Sequence, residues 1–344
     1  MENAWRSDAS LQFGVSYFGV RNPQHFQRDL DDIARLGFDY IVFTFSEDDH
    51  RFYRGSVAEC VQRTRQHGLK TWIDPWGVCG IFGGEAFTER GAWDIEGQQR
   101  RSDGRPLPLL CPNSPEVRTY LRQWITTVAE VLQAEAIFWD EPHFYLPYGT
   151  ARTQGMWGCC CHRCQERFVT TYQCPWPTEE TDEVRRCKQD AVAELLRELT
   201  AIAAARGLQN IVCVLPEHEY LDALEAKFNL FATDPHLDVL ATDPYPLWHG
   251  REVVTTQAFC EALQRSCQRH GKSAQMWLQG FRVPAGQEVL LGEEMRLMAQ
   301  CGIRDMALWS YLATAYMSSH TCADAPKVWE VFTQTMQDLR RSYG

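Results

Sequence analysis

A chain of 344 residues is long enough for one large α/β barrel with insertions, or for two small domains. Hydrophobic residues make up 44% and charged residues 23%, an ordinary globular balance with enough apolar material for a sizeable core. A formal net charge of −11 without clustered Lys or Arg argues against nucleic acid and against an anionic membrane surface, and suits a neutral substrate.

The opening residues MENAWRSDASLQFGV lack the basic start and apolar core of a secretion signal, and no run approaches the roughly 18 apolar residues of a membrane span. The fourteen cysteines are therefore expected to be reduced thiols, some of them metal-bound, in a cytoplasmic protein.

In chain order, the first strand reads LQFGVSYFGV, and a helix over residues 23–36 follows and closes on Gly37. Further strands are expected over residues 40–45, 69–74, 136–141, 210–216, 238–245, 273–281 and 305–311, with a closing helix from about residue 325. Continuous apolar strands separated by amphipathic helices imply a parallel sheet covered by helices, and eight such units favour a closed (β/α)₈ barrel. No G-x-G-x-x-G follows the first strand, which argues against an open dinucleotide-binding sheet and leaves no organic cofactor in view. The whole of residues 1–344 reads as a single domain, with long insertions after the third and fourth strands at about 75–135 and 142–209.

In such a barrel the chemistry sits where strands end. The third strand ends in Asp74-Pro75-Trp76, with Glu85 soon after in the glycine-rich GIFGGEAF. The fourth ends in Asp140-Glu141-Pro142-His143, the fifth reaches Glu217, and the sixth ends with Asp243 and Tyr245. Trp277 and Gln279 close the seventh strand, and Trp309 and Tyr311 the eighth. Carboxylates mixed with Trp and Tyr suit a sugar, whose hydroxyls need acceptors and whose C–H face stacks on rings; cleaving a glycosidic bond needs a protonated acid and usually a second carboxylate. Asp140 and Glu141 are adjacent, so strand alternation sends one into the barrel and the other toward the loop.

Independently, the C-x-C-x-x-C of GCCCHRCQERF gathers three thiolates, and a tetrahedral metal would need a fourth ligand from elsewhere, with Cys160, His162 and Cys174 as alternatives within reach.

These features together resemble the (β/α)₈ glycoside hydrolases, in particular the family 42 β-galactosidases, over about residues 110–170. The resemblance places Glu141 as the acid/base residue that ends the fourth strand. It implies structural zinc at Cys111 (in LLCPNSPEVRTYL), Cys159, Cys161 and Cys164. Two positions depart from that pattern. Asp140 stands where the family has Asn, and Gln279 stands where retaining relatives carry the nucleophile, although an amide cannot form a glycosyl ester. The second carboxylate is then Asp243 or Glu217 in a water-based mechanism. Alternatively none is needed: the Asp-Glu pair also resembles the hexosaminidases of families 20 and 123, where Asp orients the substrate's own 2-acetamido group.

The expectation is thus a glycoside hydrolase with Glu141, Asp140 and Asp243 catalytic. Asp74, Trp76, Glu85, His143, Glu217, Tyr245, Trp277, Gln279, Trp309 and Tyr311 would hold the carbohydrate. The other reading is a carbohydrate-binding barrel that has lost its nucleophile; homo-oligomerisation stays open.

Overall fold

The computed structural model describes residues 10–216 and 221–343. Ten strands run in chain order: β1 (Gln12–Tyr17), β2 (Tyr40–Thr44), β3 (Lys70–Asp74), β4 (Gln98–Arg100), β5 (Pro106–Leu110), β6 (Ala136–Trp139), β7 (Gln209–Val214), β8 (Val239–Thr242), β9 (Ser273–Gln279) and β10 (Asp305–Trp309). All except β4 and β5 form one closed parallel barrel, in the order β1-β10-β9-β8-β7-β6-β3-β2. The eight strands expected from the sequence are these eight, and the chain is a single (β/α)₈ barrel. The antiparallel β4–β5 pair is an addition that the sequence did not announce, because its strands are too short and mixed in polarity to show a period.

Helix boundaries follow local chemistry. The helix Pro23–Leu36 starts on Asn22, whose side chain accepts from Gln24 N at 2.9 Å, and ends on Gly37 at φ 89°. Its buried face is Phe26, Leu30 and Ile33, the i, i+4, i+7 stripe of an amphipathic helix. Among the described residues no helix is long and apolar enough to cross a membrane.

Strand alternation splits the core in two. Ile41, Phe43, Ile73, Ile137, Trp139, Leu240 and Leu278 face the surrounding helices. Tyr40, Val42, Trp72, Ala136, Phe138, Cys213, Ala241 and Trp277 form a separate cluster inside the barrel. The interior is filled tightly: the Tyr40 ring stacks on Trp72 at 3.9 Å, and a Cβ on Gly14 would lie 1.8 Å from Tyr40 Cε2, so only glycine fits there. Below the mouth, Tyr40 donates to Asp305 at 2.5 Å, and Gln275 links Tyr40 (2.8 Å) to Trp277 Nε1 (2.9 Å), which fixes the indole that floors the cavity described below.

One buried acid lies outside this system. Glu294, on the helix Glu288–Gln300, is 1% exposed, and its carboxyl accepts from Thr256 Oγ1 at 2.9 Å. Burial pushes its pKa up to about 8. A raised folded-state pKa means that the native state binds the extra proton, so stability is lost as pH climbs from the unfolded value near 4.3 to about 8. Glu294→Gln is therefore expected to raise Tm by several degrees at pH 9 and to leave it nearly unchanged at pH 4, as read by thermal unfolding at the two pH values.

Candidate active site

The same alternation decides which strand ends reach the mouth. Trp72, Phe138 and Ala241 point inward, so Asp74, Asp140 and Asp243, each two residues further on, point inward as well. Glu141 then leaves the strand line with φ 37°, a left-handed conformation that a residue with a side chain adopts at a cost. Tyr245 does the same after β8, at φ 39°.

Asp140, Glu141 and Asp243 line a cavity of about 830 Å³, together with Trp76, Glu85, Tyr245, Trp277 and Trp309. The aromatic wall is a connected set: Phe18 stacks on Trp309 at 5.7 Å, Trp76 lies 5.6 Å from Phe18, and Trp277 lies 6.2 Å from Trp309. Sequence reasoning misses Phe18, Tyr148 and Trp248, which also line the cavity. Tyr148 and Trp248 sit well inside connections, where no strand end marks them. Glu85 is at the rim, its Oε1 3.2 Å from His320 Nε2.

The acids repel one another. Burial, followed by the negative charge of Glu141, lifts Asp140 well above the usual carboxylate range. Asp74 is raised by burial and then by Asp140 and Glu141. Asp243 is raised by burial, by the charge of Glu141 and by a hydrogen bond with the Glu141 side chain, against an opposing bond with Cys213. Close carboxyls in low dielectric hold protons that water would remove, the condition for a general acid near neutral pH. Among the described residues, both Asp74 oxygens, Asp243 Oδ1 and Trp76 Nε1 are buried without a hydrogen-bond partner.

Four expected binding residues stand away from the cavity wall. Asp74 is fully buried, and burial together with the charges of Asp140 and Glu141 raises its proton affinity. His143 donates from Nδ1 to the Glu141 carbonyl, and burial keeps its imidazole pKa low, so it is a neutral brace. Gln279 points inward, but its amide is spent: Oε1 accepts from Trp248 N and Nε2 donates to Phe281 O, both at 2.8 Å, so it orients two wall residues. Tyr311 is placed outside the mouth, with its hydroxyl toward Asp32 (3.4 Å) and Asp29 (3.5 Å), because a short helical turn over Tyr311–Thr314 ends the strand alternation just before it. Glu217 lies outside the described residues.

A glycine loop closes one side. Gly83 N donates to Asp140 O at 2.9 Å, and a Cβ on Gly83 would stand 2.3 Å from Asp140 Oδ2. On Gly84 it would collide with the Trp76 indole at 1.6 Å, so GIFGGEAF needs both glycines to pass this close.

The cysteines converge outside the barrel. The Sγ atoms of Cys111, Cys159, Cys161 and Cys164 all lie within 4.8 Å of one another, buried. Cys111 is 3.5 Å from Cys164 and 3.6 Å from Cys161, far beyond the ~2.05 Å of a disulfide and near the about 3.8 Å edge of a tetrahedron of thiolates around a 2.3 Å metal. Arg100 N points at Cys159 Sγ (3.4 Å) and Asn113 Nδ2 at Cys164 Sγ (3.3 Å), donors that suit negatively charged sulfur. The cluster could hold a metal ion, while Cys160, His162 and Cys174 stay outside it.

The fold and mouth define a (β/α)₈ barrel with an acidic, aromatic-walled cavity at its strand ends. No protein-family model matches the sequence. No curated protein matches it either. Solved structures share the fold. An endo-1,4-β-mannanase from Rhizomucor miehei aligns with TM-score 0.63 at 10% identity, over 96% of this chain and 95% of its own. A GH26 β-mannanase from Bacteroides ovatus aligns with TM-score 0.59 at 12% identity, over 97% and 90%. A D-psicose 3-epimerase from Clostridium cellulolyticum H10 aligns with TM-score 0.51 at 11% identity, over 96% and 99%. The barrel is thus shared with glycoside hydrolases and with enzymes of other chemistry, and function must be argued from the site.

Proposed function

We propose that the chain is a glycoside hydrolase that takes a small oligosaccharide or glycoside into this cavity, with Glu141 as general acid/base. The observation that carries the reading is the convergence of Asp140, Glu141 and Asp243 on an aromatic-walled cavity, with the proton affinity of Asp140, Asp243 and the buried Asp74 raised by burial and by the charge of Glu141. Trp76, Tyr245, Trp277 and Trp309 offer ring faces for sugar C–H surfaces, and the unpartnered Asp243 and Trp76 atoms offer hydrogen-bonding capacity. The mannanases that share the fold are consistent with it.

The interaction of Asp243 with Glu141 bears on mechanism. A retaining pair stands about 5–5.5 Å apart and an inverting pair about 6.5–9.5 Å, to admit a nucleophile or a water. The charge of Glu141 raises the proton affinity of Asp243, so Asp243 serves as a protonated neighbour of Glu141 rather than as a nucleophile or base. Asp140, inward-facing at the cavity wall, is the group left to meet the substrate. That assignment favours substrate assistance, with Asp140 orienting a 2-acetamido group, and it removes the need for a nucleophile at Gln279. The cysteine cluster would carry zinc in a structural role, since four thiolates leave no open position for substrate.

A panel of aryl glycosides, each sugar with and without a 2-acetamido substituent, tests the reading. Turnover of acetamido sugars, reduced about 10–100-fold by Asp140→Asn, is the expected result. Turnover of plain hexosides alone would overturn substrate assistance. The second reading, a carbohydrate-binding barrel without catalysis, is favoured by the fully engaged Gln279 amide; it predicts saturable sugar binding and no product after long incubation.

A further inference from the structure

Three residues past β2, Glu47 is 5% exposed and does not line the cavity, yet its carboxylate is the anchor of the loop that does. Oε1 accepts from Cys79 N and from Thr88 Oγ1, both at 2.8 Å, and Oε2 accepts from Arg90 N at 2.9 Å. Two of these donors are backbone amides eleven residues apart, so the carboxylate recognises the folded course of the loop rather than any one side chain. Cys79 itself sits at φ 58°, a left-handed conformation that a non-glycine residue keeps only when its surroundings hold it. Its amide is the one that Glu47 holds. Thr88 passes the anchoring on, accepting from Gly91 N at 2.9 Å to start the short helix Glu89–Trp93.

The other side of this loop bears on the acids. Gly83 N donates to Asp140 O at 2.9 Å, and Gly83 O accepts from Gly77 N at 2.7 Å. Ile81 O accepts from His143 N at 2.9 Å, and the same histidine caps the Glu141 carbonyl through Nδ1. Gly83 leaves no room beside the Asp140 carboxyl, and Gly84 and Glu85 line the cavity.

We propose that Glu47 is a positioning residue for Asp140 and Glu141, acting through residues 77–90. It sets the depth at which the glycine loop presses on the two acids, and so their direction into the cavity and their shielding from water. Shielding matters here because burial is the largest cause of the raised proton affinity of Asp140. The titratable groups facing Asp140 besides Glu141 are Asp74, Asp243, Cys213 and Tyr245, each of which burial holds toward its neutral, protonated form. The kinetic part of this inference rests on the hydrolase reading; the structural part does not.

The test compares Glu47→Ala and Glu47→Gln with the wild-type full chain. In Glu47→Ala, amide hydrogen exchange over residues 77–90 is expected to rise at least about tenfold, while β10 keeps wild-type protection. The kcat on the aryl glycoside that the wild type cleaves is expected to fall about 100-fold, with KM changed by less than about threefold. The pH–rate profile and the carboxyl-carbon NMR titration of Asp140 move toward lower pH. Glu47→Gln keeps an acceptor for Cys79 and Thr88 and is expected to recover kcat to within about tenfold of wild type. Wild-type exchange in the Glu47→Ala loop overturns the proposal. So does faster exchange with an unmoved Asp140 titration, since the loop would then not govern the acid. If the wild type cleaves no glycoside, the hydrolase reading fails, and exchange together with the Asp140 titration still decides this one. If Glu47→Ala does not fold, Glu47→Gln carries the same comparisons: faster exchange at Arg90, whose amide then meets an NH₂ group, supports the proposal, and wild-type exchange there overturns it.

Discussion

Glu141→Gln is expected to lower kcat by about 10²–10⁴ on glycosides with a poor leaving group, and by much less on those whose aglycone departs without protonation. The dependence on leaving group is the informative part. A general acid donates its proton to the departing oxygen, so an amide in its place penalises the substrates that need that proton. A residue that only binds sugar would cost both kinds of substrate alike. Equal turnover by wild type and variant would remove Glu141 from the mechanism.

The same substitution carries a stability signature of opposite sign. The negative charge of Glu141 contributes to the raised proton affinity of Asp74, Asp140 and Asp243. Each of these acids binds its proton more tightly in the folded state than in the unfolded chain. The native state therefore loses stability as pH rises above the ordinary carboxylate value toward the raised one. Glutamine removes one repelling charge from the group, so Glu141→Gln is expected to have a Tm a few degrees above wild type at pH 7 and close to it near pH 3.5. An inactive variant that is more stable at neutral pH marks a site built at the expense of the fold. An inactive variant that is less stable at pH 7 would point to simple structural damage.

How much of this was legible follows from which physical rule governs each residue. Inward and outward positions repeat every two residues along a strand, so the sequence shows that Asp140 and Glu141 go to different sides, while the uniformly apolar AIFW leaves it to the structure to show that Asp140, like Asp243, follows the inward face. Helix–glycine boundaries mark several of the βα units for a similarly local reason: a left-handed residue such as Gly37 ends a helix whatever surrounds it. Tyr311 was misplaced because that rule lapses where the strand stops, and nothing in DMALWSY marks the turn that begins at Tyr311. Gln279 ends its strand as the sequence indicates, yet its partners are backbone groups of Trp248 and Phe281, and a partner across a loop leaves no trace in local sequence. Glu47 is the extreme case. It reads as one acid in a polar turn, and its role depends on a loop 32 to 43 residues away that folds back over the mouth.

Removing one cysteine of the cluster is expected to have the second large effect. Cys111 directly follows β5, while Cys159, Cys161 and Cys164 belong to the insertion after β6, so the four sulfurs tie the two long insertions together. The tie is continued by backbone: Cys160 N donates to Arg100 O at 2.6 Å, and Gly158 bridges Arg101. It reaches the cavity because Gln99, inside β4, accepts from Tyr145 N at 2.9 Å, next to the wall residues Leu146, Pro147 and Tyr148. If zinc holds the cluster, wild type should contain about one metal per chain in a sulfur-only shell at about 2.3 Å, visible by X-ray absorption. Cys164→Ser should lose it, with a Tm lower by about 10 °C or more, because metal binding energy is folding energy for the segments it joins. Proteolysis should then cut within residues 142–164 while the barrel strands keep their exchange protection. Cys160→Ser and Cys174→Ser separate the metal from mere thiol loss: both lie outside the cluster and should leave metal content and Tm at wild-type values. Folded wild-type protein without metal would sink the zinc assignment, and the close sulfurs would then be packed thiols with no claim on the cavity wall.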